Sequence, residues 1–599
     1  MNKTEKIILS IILFAAFILR FYHLTFQSLW LDELHTMIEA DPRLRLSELF
    51  NYLKCCDQHP PLFFFLEKFL FSIFGHSEWT ARALTATAGT VSVWAMFLVG
   101  KELYNTQLGI IAALLTTVNY YNIQYSQEAR GYILAFLFAT FSLLYFIQLL
   151  KRAETKTIIK YIVFTLLLMY THYYGLFVFV AQGTIALVYW LTIADNKTKF
   201  FKHYALATVG ICIGYAAWIP NLLTMSNIKS FWITPIPNSF AIDYFYEYFG
   251  NSDLLKPFLL LFLVAYFIKL FIEKENIKNA PVILSFLICS IWIFVIYLIP
   301  YLRSIFVVPM LFPRYTIVIL PAIIIMLSFG INLIPNQFVR NTLLTLFILI
   351  SLVDIVFVKK FYTAVNKTQF RELTGHIAES SNRNLPIINP QTAWHFQYYA
   401  KKFDVYKNLM SENTDPIIDS IAQLKNGSGF WLAGAHNTPK LSEEKLKMIS
   451  ANYVLTENID FYNAWLQLYL PVNAVLTGYT PLAFHESLYF TVNNEKVVAL
   501  WGDKLNANTT ALTKGKYNLK IISRGTKAAN EYPKVNVLLN NKKIGEYIAS
   551  ETTQQTDITF DNTENAVTIL FEITNDFTDP VTKEDRNLFI TKALISKAQ

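Results

Sequence analysis

Charge is scarce in this sequence. Only 16% of its 599 residues are Asp, Glu, Lys or Arg, where soluble proteins carry about 25%, so much of the chain does not face water. Cysteine is nearly absent as well. Cys55, Cys56, Cys212 and Cys289 are the whole set, and none has zinc-ligand spacing. Cys212 and Cys289 lie in apolar runs and read as small buried hydrophobes. Cys55 and Cys56 read as free thiols, with a vicinal disulfide as the alternative if their loop is oxidised. No soluble stretch interleaves basic clusters with aromatics. The formal charge of +8 is therefore no nucleic-acid signal; it reflects lysines that set membrane topology. No internal repeat is visible.

Apolar residues are abundant, at 54%, and unevenly spread. Residues 1 to about 358 hold nearly all the long apolar runs, whereas 360–599 read as water-soluble sequence. A bilayer core takes about 20 apolar residues per helix. The first run, 7–19, follows Lys3 and Lys6 and lacks a small-x-small cleavage site. It reads as an uncleaved first helix with a cytoplasmic N-terminus and Arg20 snorkelling at its outer edge. Further spans are expected near 80–100, 107–121, 131–150, 158–173, 175–193, 204–222, 256–272, 281–299, 313–333 and 341–358, eleven in all with the first. Lysines and arginines fall on alternate loops (Lys101; Lys151, Arg152, Lys156 and Lys160; Lys197, Lys199 and Lys202; Lys274 and Lys278; Arg340). That places those loops inside and the C-terminal region outside.

Two outer loops are long, 24–79 and 223–255. In the first, PLFFFLEKFLFSIFG is too short and too charged (Glu67, Lys68) to span, and suits an amphipathic interfacial helix. The second, with Trp232, Pro235 and Pro237, suits a cover over a lipid-facing site. Residues 361–482 alternate helical and strand patterns and predict a small α/β domain. Residues 483–599 alternate in YNLKIIS, KVNVLLN, NAVTILFEI and LFITKALI, separated by turn residues such as Asn540-Asn541 and Asp561-Asn562. They predict a β-sandwich. The expected fold is a polytopic α-helical membrane protein, 1–360, carrying an extracytoplasmic α/β domain and a terminal β-sandwich.

The polar residues near the outer ends of these helices are the candidates for chemistry. Asp32 and Glu33 stand side by side in SLWLDELHT; paired acids there can act as a base on a hydroxyl or hold a cation, or can be solvated loop acids. His59 follows in QHPPLFF, and Glu128 and Arg130 in YSQEARGY. His172 occupies the short turn THYYG, where a structural role is the alternative. Arg303, Arg314 and Tyr315 lie in PYLRSIFVVPMLFPRYT. Arginines there can clamp a phosphate bidentately or anchor helices at headgroups. Asp354 lies in the last apolar span, where an acid is functional or paired. Acids, a histidine and arginines on one face suit attack by a hydroxyl on a sugar bonded to phosphate.

In this order, LWLDELHT, QHPPLFF, GHSEWTARAL, SQEARGY and FPRYTIVILPA resemble the motifs of C-type (GT-C) glycosyltransferases. The branch resembled includes protein O-mannosyltransferases and aminoarabinose transferases. The likeness covers about 1–375, including NKTQFRELT. It implies a polyprenyl-phosphate sugar donor and transfer of a hexosyl or pentosyl group to a glycan, lipid or protein hydroxyl. It places the reaction on the outer face of the cytoplasmic (inner) membrane. It puts the base at Asp32, with Glu33 or Glu128 assisting, and leaves a divalent cation at the membrane site open. In the C-terminal region, GTKAANEYPKVNVLLNNKKIGEY and FEITNDFTDPVTKEDRNLFI resemble calcium-dependent, xylan-binding carbohydrate-binding modules. That second likeness implies calcium ligands at Asp576 and Asp585, in a sandwich that otherwise keeps the loop for structure only. The reading is an inverting glycosyltransferase. Its rivals are a transporter or flippase of lipid-linked sugars, which would show repeats and midplane polar groups, and a non-catalytic glycan-binding membrane receptor.

Overall fold

Asn2 opens the first helix with a capping box: its side chain accepts the Glu5 N–H while the Glu5 carboxylate accepts its own N–H, both at 2.8 Å. The computed structural model describes the chain apart from residues 56–58, 153, 227–232, 274–280, 390–392, 411–428, 472–479, 485–487, 493–494, 503, 513, 564–565 and 599. Cys56, Gln58, Trp232, Lys274 and Lys278 fall outside the described residues.

The chain divides into two units, Met1–Gln27 with Asp32–Val365, and Ser28–Leu31 with Asn366–Gln599. The first is helical: α1 (Lys3–Phe21), α2 (Leu31–Glu39), α3 (Leu46–Cys55), α4 (Leu62–Phe74), α5 (Glu78–Leu103), α6 (Thr106–Thr117), α7 (Tyr120–Ser126), α8 (Tyr132–Lys151) and α9 (Thr155–Thr171). It continues through α10 (Tyr174–Thr192), α11 (Lys197–Tyr215), α12 (Ile219–Ser226), α13 (Phe240–Glu247), α14 (Lys256–Glu273), α15 (Pro281–Phe306), α16 (Leu320–Asn332) and α17 (Gln337–Val353). Each of the eleven expected spans coincides with a helix. Seven segments among the described residues are long and apolar enough to cross a membrane, and α6, at 12 residues, is a shorter apolar helix. The spans of α8 and of 313–332 are 83% and 89% buried and form the centre of the unit. α11 and α17 bury far less, exposing Phe201, Leu206, Ile213, Phe338 and Leu349. Apolar faces of that extent are built for lipid rather than water.

Arg20 does not snorkel. It is fully buried, and its guanidinium donates to Asn122 Oδ1 at 2.6 Å and to the Thr116, Thr117 and Ala16 carbonyls. The carbonyls at the end of α6 have no intrahelical partners, and Arg20 supplies them just where the chain breaks into α7. The expected interfacial helix is α4, but Glu67 on it is fully buried, and neither carboxylate oxygen has a hydrogen-bond partner. Burial pushes the Glu67 carboxyl well above the usual carboxylate range.

Among the described residues, the second unit holds α18 (Phe370–Glu379), α19 (Gln397–Lys402), α20 (Glu443–Ser450) and fifteen strands. The α/β part contributes β1 (Ile387–Ile388), β2 (Phe430–Ala435), β3 (Tyr453–Phe461) and β4 (Ala464–Pro471). The rest are β5 (Thr480–Pro481), β6 (Ala483–Phe484), β7 (Tyr489–Val492), β8 (Glu495–Leu500), β9 (Lys504–Leu512), β10 (Gly515–Gly525), β11 (Lys534–Leu539), β12 (Lys542–Ile548), β13 (Gln554–Asn562), β14 (Ala566–Ile573) and β15 (Leu588–Lys597). One sheet runs β12-β11-β14-β9-β6 and faces β13-β10-β15-β8-β7 across a shared core, which is the expected sandwich. The second of these sheets continues without a break into β3-β4-β2-β1 through parallel pairing of β3 with β13. Asn540 and Asn541, both with positive φ (46° and 67°), make the tight β11–β12 turn. Asp561 and Asn562 instead end β13, where Asn562 donates to the Leu512 carbonyl.

Candidate active site

The site begins with α2, a short helix with Asp32 and Glu33 in its first turn, where carboxylates complement the helix dipole. The two acids part company at once. Glu33 points inward and is fully buried; Arg82 Nε and Nη2 reach its two oxygens at 2.8 and 2.7 Å. The Ala129 N–H donates to the same carboxylate at 2.9 Å, and Arg82 Nη1 satisfies the Leu24 and Gln27 carbonyls. Thr36 Oγ1 donates to Ala129 O at 2.8 Å. The 127–131 turn is thus held to α2 through both backbone polar groups of Ala129.

Asp32 remains partly open. Its Oδ2 lies 3.0 Å from Arg314 Nη1, with side-chain exposures of 17% and 12%. Arg130 Nη1 donates to the Asp32 carbonyl at 3.2 Å, and its Nη2 lies 3.4 Å from the His59 ring nitrogens. Both arginines rest on aromatic faces: Arg314 over Tyr132, Phe312 and Tyr315, and Arg130 over Phe64. Glu128 is buried, and its carbonyl accepts the Arg130 N–H at 2.7 Å.

His172 completes this wall. Its ring lies 5.3 Å from Tyr315, 5.8 Å from Tyr132 and 6.2 Å from His59. The Tyr174 N–H donates to His172 Nδ1 at 3.2 Å, which leaves the ring proton on Nε2. Burial, with His59, Arg130 and Arg314 nearby, holds its pKa well below the usual histidine value. The structure therefore brings together Asp32, Glu33, His59, Glu128, Arg130, His172, Arg314 and Tyr315. Arg303, in the last turn of α15, is not among the groups these contacts join. Asp354 is buried elsewhere, paired with Lys359 at 3.4 Å and bonded to Ser252.

The sequence reading missed Arg82, the partner that removes Glu33 from the open site. The signal was present, since an arginine inside a 26-residue apolar helix must find an anion or carbonyls. The same reading named Tyr315 but missed two further tyrosines. Tyr132 and Tyr174 are ordinary apolar-run residues until their neighbours are known.

The donor set fits an anion better than a resident cation. Asp32 and Glu33 are already met by arginines, and no cluster of three His, Cys, Asp or Glu side chains able to hold a metal occurs among the described residues. In the sandwich, Asp585 accepts a hydrogen bond from Thr578 Oγ1 at 2.6 Å, and Asp576 lies in the facing part of the same loop.

Residues 58–223 match the sequence family described as dolichyl-phosphate-mannose-protein mannosyltransferase. No curated protein matches the chain. Among solved structures, apo ArnT from Cupriavidus metallidurans aligns with a TM-score of 0.53 at 11% identity, over 77% of this chain and 97% of its own. The same protein bound to undecaprenyl phosphate aligns at 0.48 and 14%, again over 77% and 97%. The CBM36-1 domain of a multidomain xylanase from the hindgut metagenome of Trinervitermes trinervoides covers 20% of this chain and 92% of its own, at 14% identity and a TM-score of 0.15. That last alignment is too weak to bear on the sandwich. The fold is shared with ArnT, and the likeness to C-type membrane glycosyltransferases carried by the motifs is borne out.

Proposed function

We propose that this chain transfers a sugar from a polyprenyl phosphate to an acceptor hydroxyl, with inversion at the anomeric carbon, on the outer face of the cytoplasmic membrane. The observation that carries the reading is the Asp32–Arg314 pair at 3.0 Å: a partly open carboxylate whose partner is also the natural holder of a phosphate. The phosphodiester of the lipid-linked sugar, entering beside Arg314 and Arg130, competes for their guanidinium groups and releases Asp32 from its ion pair. Asp32 then takes the proton of the acceptor hydroxyl. The hydroxyl oxygen bonds to the anomeric carbon as the carbon–oxygen bond to phosphate breaks, and the departing polyprenyl phosphate keeps the bonding electrons, held by the arginines. Glu128 holds the Arg130 N–H through its carbonyl. Glu33, being consumed by Arg82, positions α2 and the 127–131 turn. His172 presents Nε2–H, and His59 and Tyr315 line the pocket. Arg303 has no part in this reading.

The matched family's name supports a lipid-phosphate sugar donor, carrying a hexose or a pentose; the acceptor is a glycan, a lipid or a protein. No step is routed through a metal. Calcium at Asp576 and Asp585 is a separate proposal for the sandwich, resting on two hard oxygen donors in one loop.

The decisive variant is Asp32→Asn. Loss of the base should lower turnover about 10²- to 10⁴-fold, measured as release of polyprenyl phosphate from the lipid-linked sugar, with lipid binding retained. Transfer at the wild-type rate would falsify the assignment.

A further inference from the structure

The site has two arms that come from distant parts of the chain. One is the 3₁₀ segment Pro313–Ile319, carrying Arg314 and Tyr315; the other is α7, which leads into Glu128 and Arg130. One described residue of the outer loop, Tyr248, touches both. Tyr248, fully buried, bonds its hydroxyl to Thr316 Oγ1 at 2.6 Å and to Tyr297 OH at 3.1 Å. Its backbone carbonyl accepts from Asn119 Nδ2 at 2.9 Å. Asn119 is also the N-cap of α7, its Oδ1 accepting the Asn122 N–H at 2.9 Å. The Tyr248 ring packs edge-on against Tyr121 of α7, centroids 5.2 Å apart.

The loop just beyond Tyr248 is fastened. Ser252 Oγ donates to Asp354 Oδ1 at 3.0 Å, and Lys359 lies 3.4 Å from Asp354 Oδ2 and over the Tyr120 ring. Asp354 opens a π-helical turn, Asp354–Val358, closed by the Lys359 N–H on its carbonyl. Gly250, at φ 73°, crosses this anchor so closely that a Cβ there would stand 2.7 Å from Lys359 Cε and 2.9 Å from Tyr120 Cγ. Only glycine suits that backbone and that space.

We infer that Tyr248 is a positioning residue of the sugar-transfer site. Its hydroxyl fixes the Arg314 arm, its carbonyl fixes the arm that leads to Glu128 and Arg130, and the Ser252–Asp354–Lys359 anchor holds Tyr248 in place. This deepens the proposed transfer reaction and rests on it for its functional consequence. It also gives the intramembrane acid a task away from the chemistry. Asp354 sets a distance between two phosphate-holding segments without approaching either.

The test uses the full-length protein in lipid nanodiscs and polyprenyl phosphate without sugar as the probe. Tyr248→Phe and Thr316→Val each remove one end of the same hydrogen bond while keeping shape. Each should weaken binding about fivefold to tenfold, the worth of one such bond, with an apparent Tm close to wild type. The double variant should lose less than the product of the two single losses, because the Tyr248–Thr316 contact is shared, while Tyr248→Phe alone also loses Tyr297 and Thr316→Val alone also loses the Pro313 carbonyl. Ser252→Ala should shift binding in the same direction; no shift removes the anchor from the assignment. Wild-type affinity in Tyr248→Phe, or a double-variant loss equal to the product of the singles, overturns the inference. If the wild-type protein itself does not bind the lipid, the transfer reading fails. The positioning role is then decided by amide exchange alone: faster exchange of residues 313–319 in Tyr248→Phe supports it, and unchanged exchange refutes it.

Discussion

Arg82 and Glu33 illustrate what one residue can hide. Read along the chain, Asp32 and Glu33 are equivalent neighbours, and either could be the base. Helix rotation separates them, turning Glu33 into a fully buried partner of Arg82 and leaving Asp32 partly open. That rotation depends on how α2 packs, which no local pattern states. The pair is expected to be costly to break from one side. Glu33→Gln leaves Arg82 buried without its counter-charge and should destabilise the helical unit by about 3–5 kcal/mol, seen as a lowered apparent Tm in detergent and lost transfer together. Asp32→Asn should lose transfer while keeping Tm. Glu247, at the end of α13, gives a pH signature. Burial pushes its carboxyl from 4.5 up to about 7. A carboxyl raised in this way binds more protons in the folded state between those values. Its stabilising share is complete below about 4.5 and is lost as pH rises through about 7. Glu247→Gln should flatten the decline of apparent Tm between those pH values; an unchanged decline would place the titrating group elsewhere.

Among elements, the membrane helices were the most readable, because a run of apolar residues of bilayer length has few other uses. Every expected span is a helix, and residues of the ordered motifs do meet: Asp32 pairs with Arg314, Glu33 with Arg82, and Arg130 lies beside His59. Side-chain direction was not readable. Arg20 was expected at the lipid edge because arginines near helix ends usually reach for water, yet it caps the broken end of α6. The same holds for close approaches between helices. Gly100 of α5 and Gly109 of α6 face each other so tightly that a Cβ on Gly100 would lie 2.8 Å from the Gly109 Cα. Small residues let backbones meet in this way. Gly100→Leu should force α5 and α6 apart, cost about 1–3 kcal/mol and lower the apparent Tm, whereas Gly183→Ala, which meets only a tyrosine hydroxyl at 3.6 Å, should not.

At the scale of the whole molecule, strand patterns showed the sandwich but not its continuity with the α/β part. Edge pairing between distant strands leaves no trace in period-two alternation. Val454 of β3, Ile522 of β10 and the neighbouring Leu470 form one small core across that junction. A chain ending at residue 482 would expose the β3 edge and these side chains, and should be polydisperse in size-exclusion chromatography. Calcium added to the full-length protein should give calorimetric heat that Asp585→Ala abolishes; no heat with the native chain removes calcium from the sandwich.

The arginines and carboxylates of the site, Arg82, Arg130 and Arg314 against Asp32, Glu33 and Glu128, cancel in formal charge. A neutral constellation casts little field beyond its rim. Anions dissolved in the surrounding water are therefore not drawn in from a distance, and under the proposed reaction a lipid-linked donor would arrive by lateral diffusion in the bilayer. The encounter rate should change little between about 0.05 and 0.5 M salt, a range in which screening would slow a steered reaction severalfold or more. Water-soluble phosphate esters should compete poorly at concentrations where a short-chain prenyl phosphate competes well.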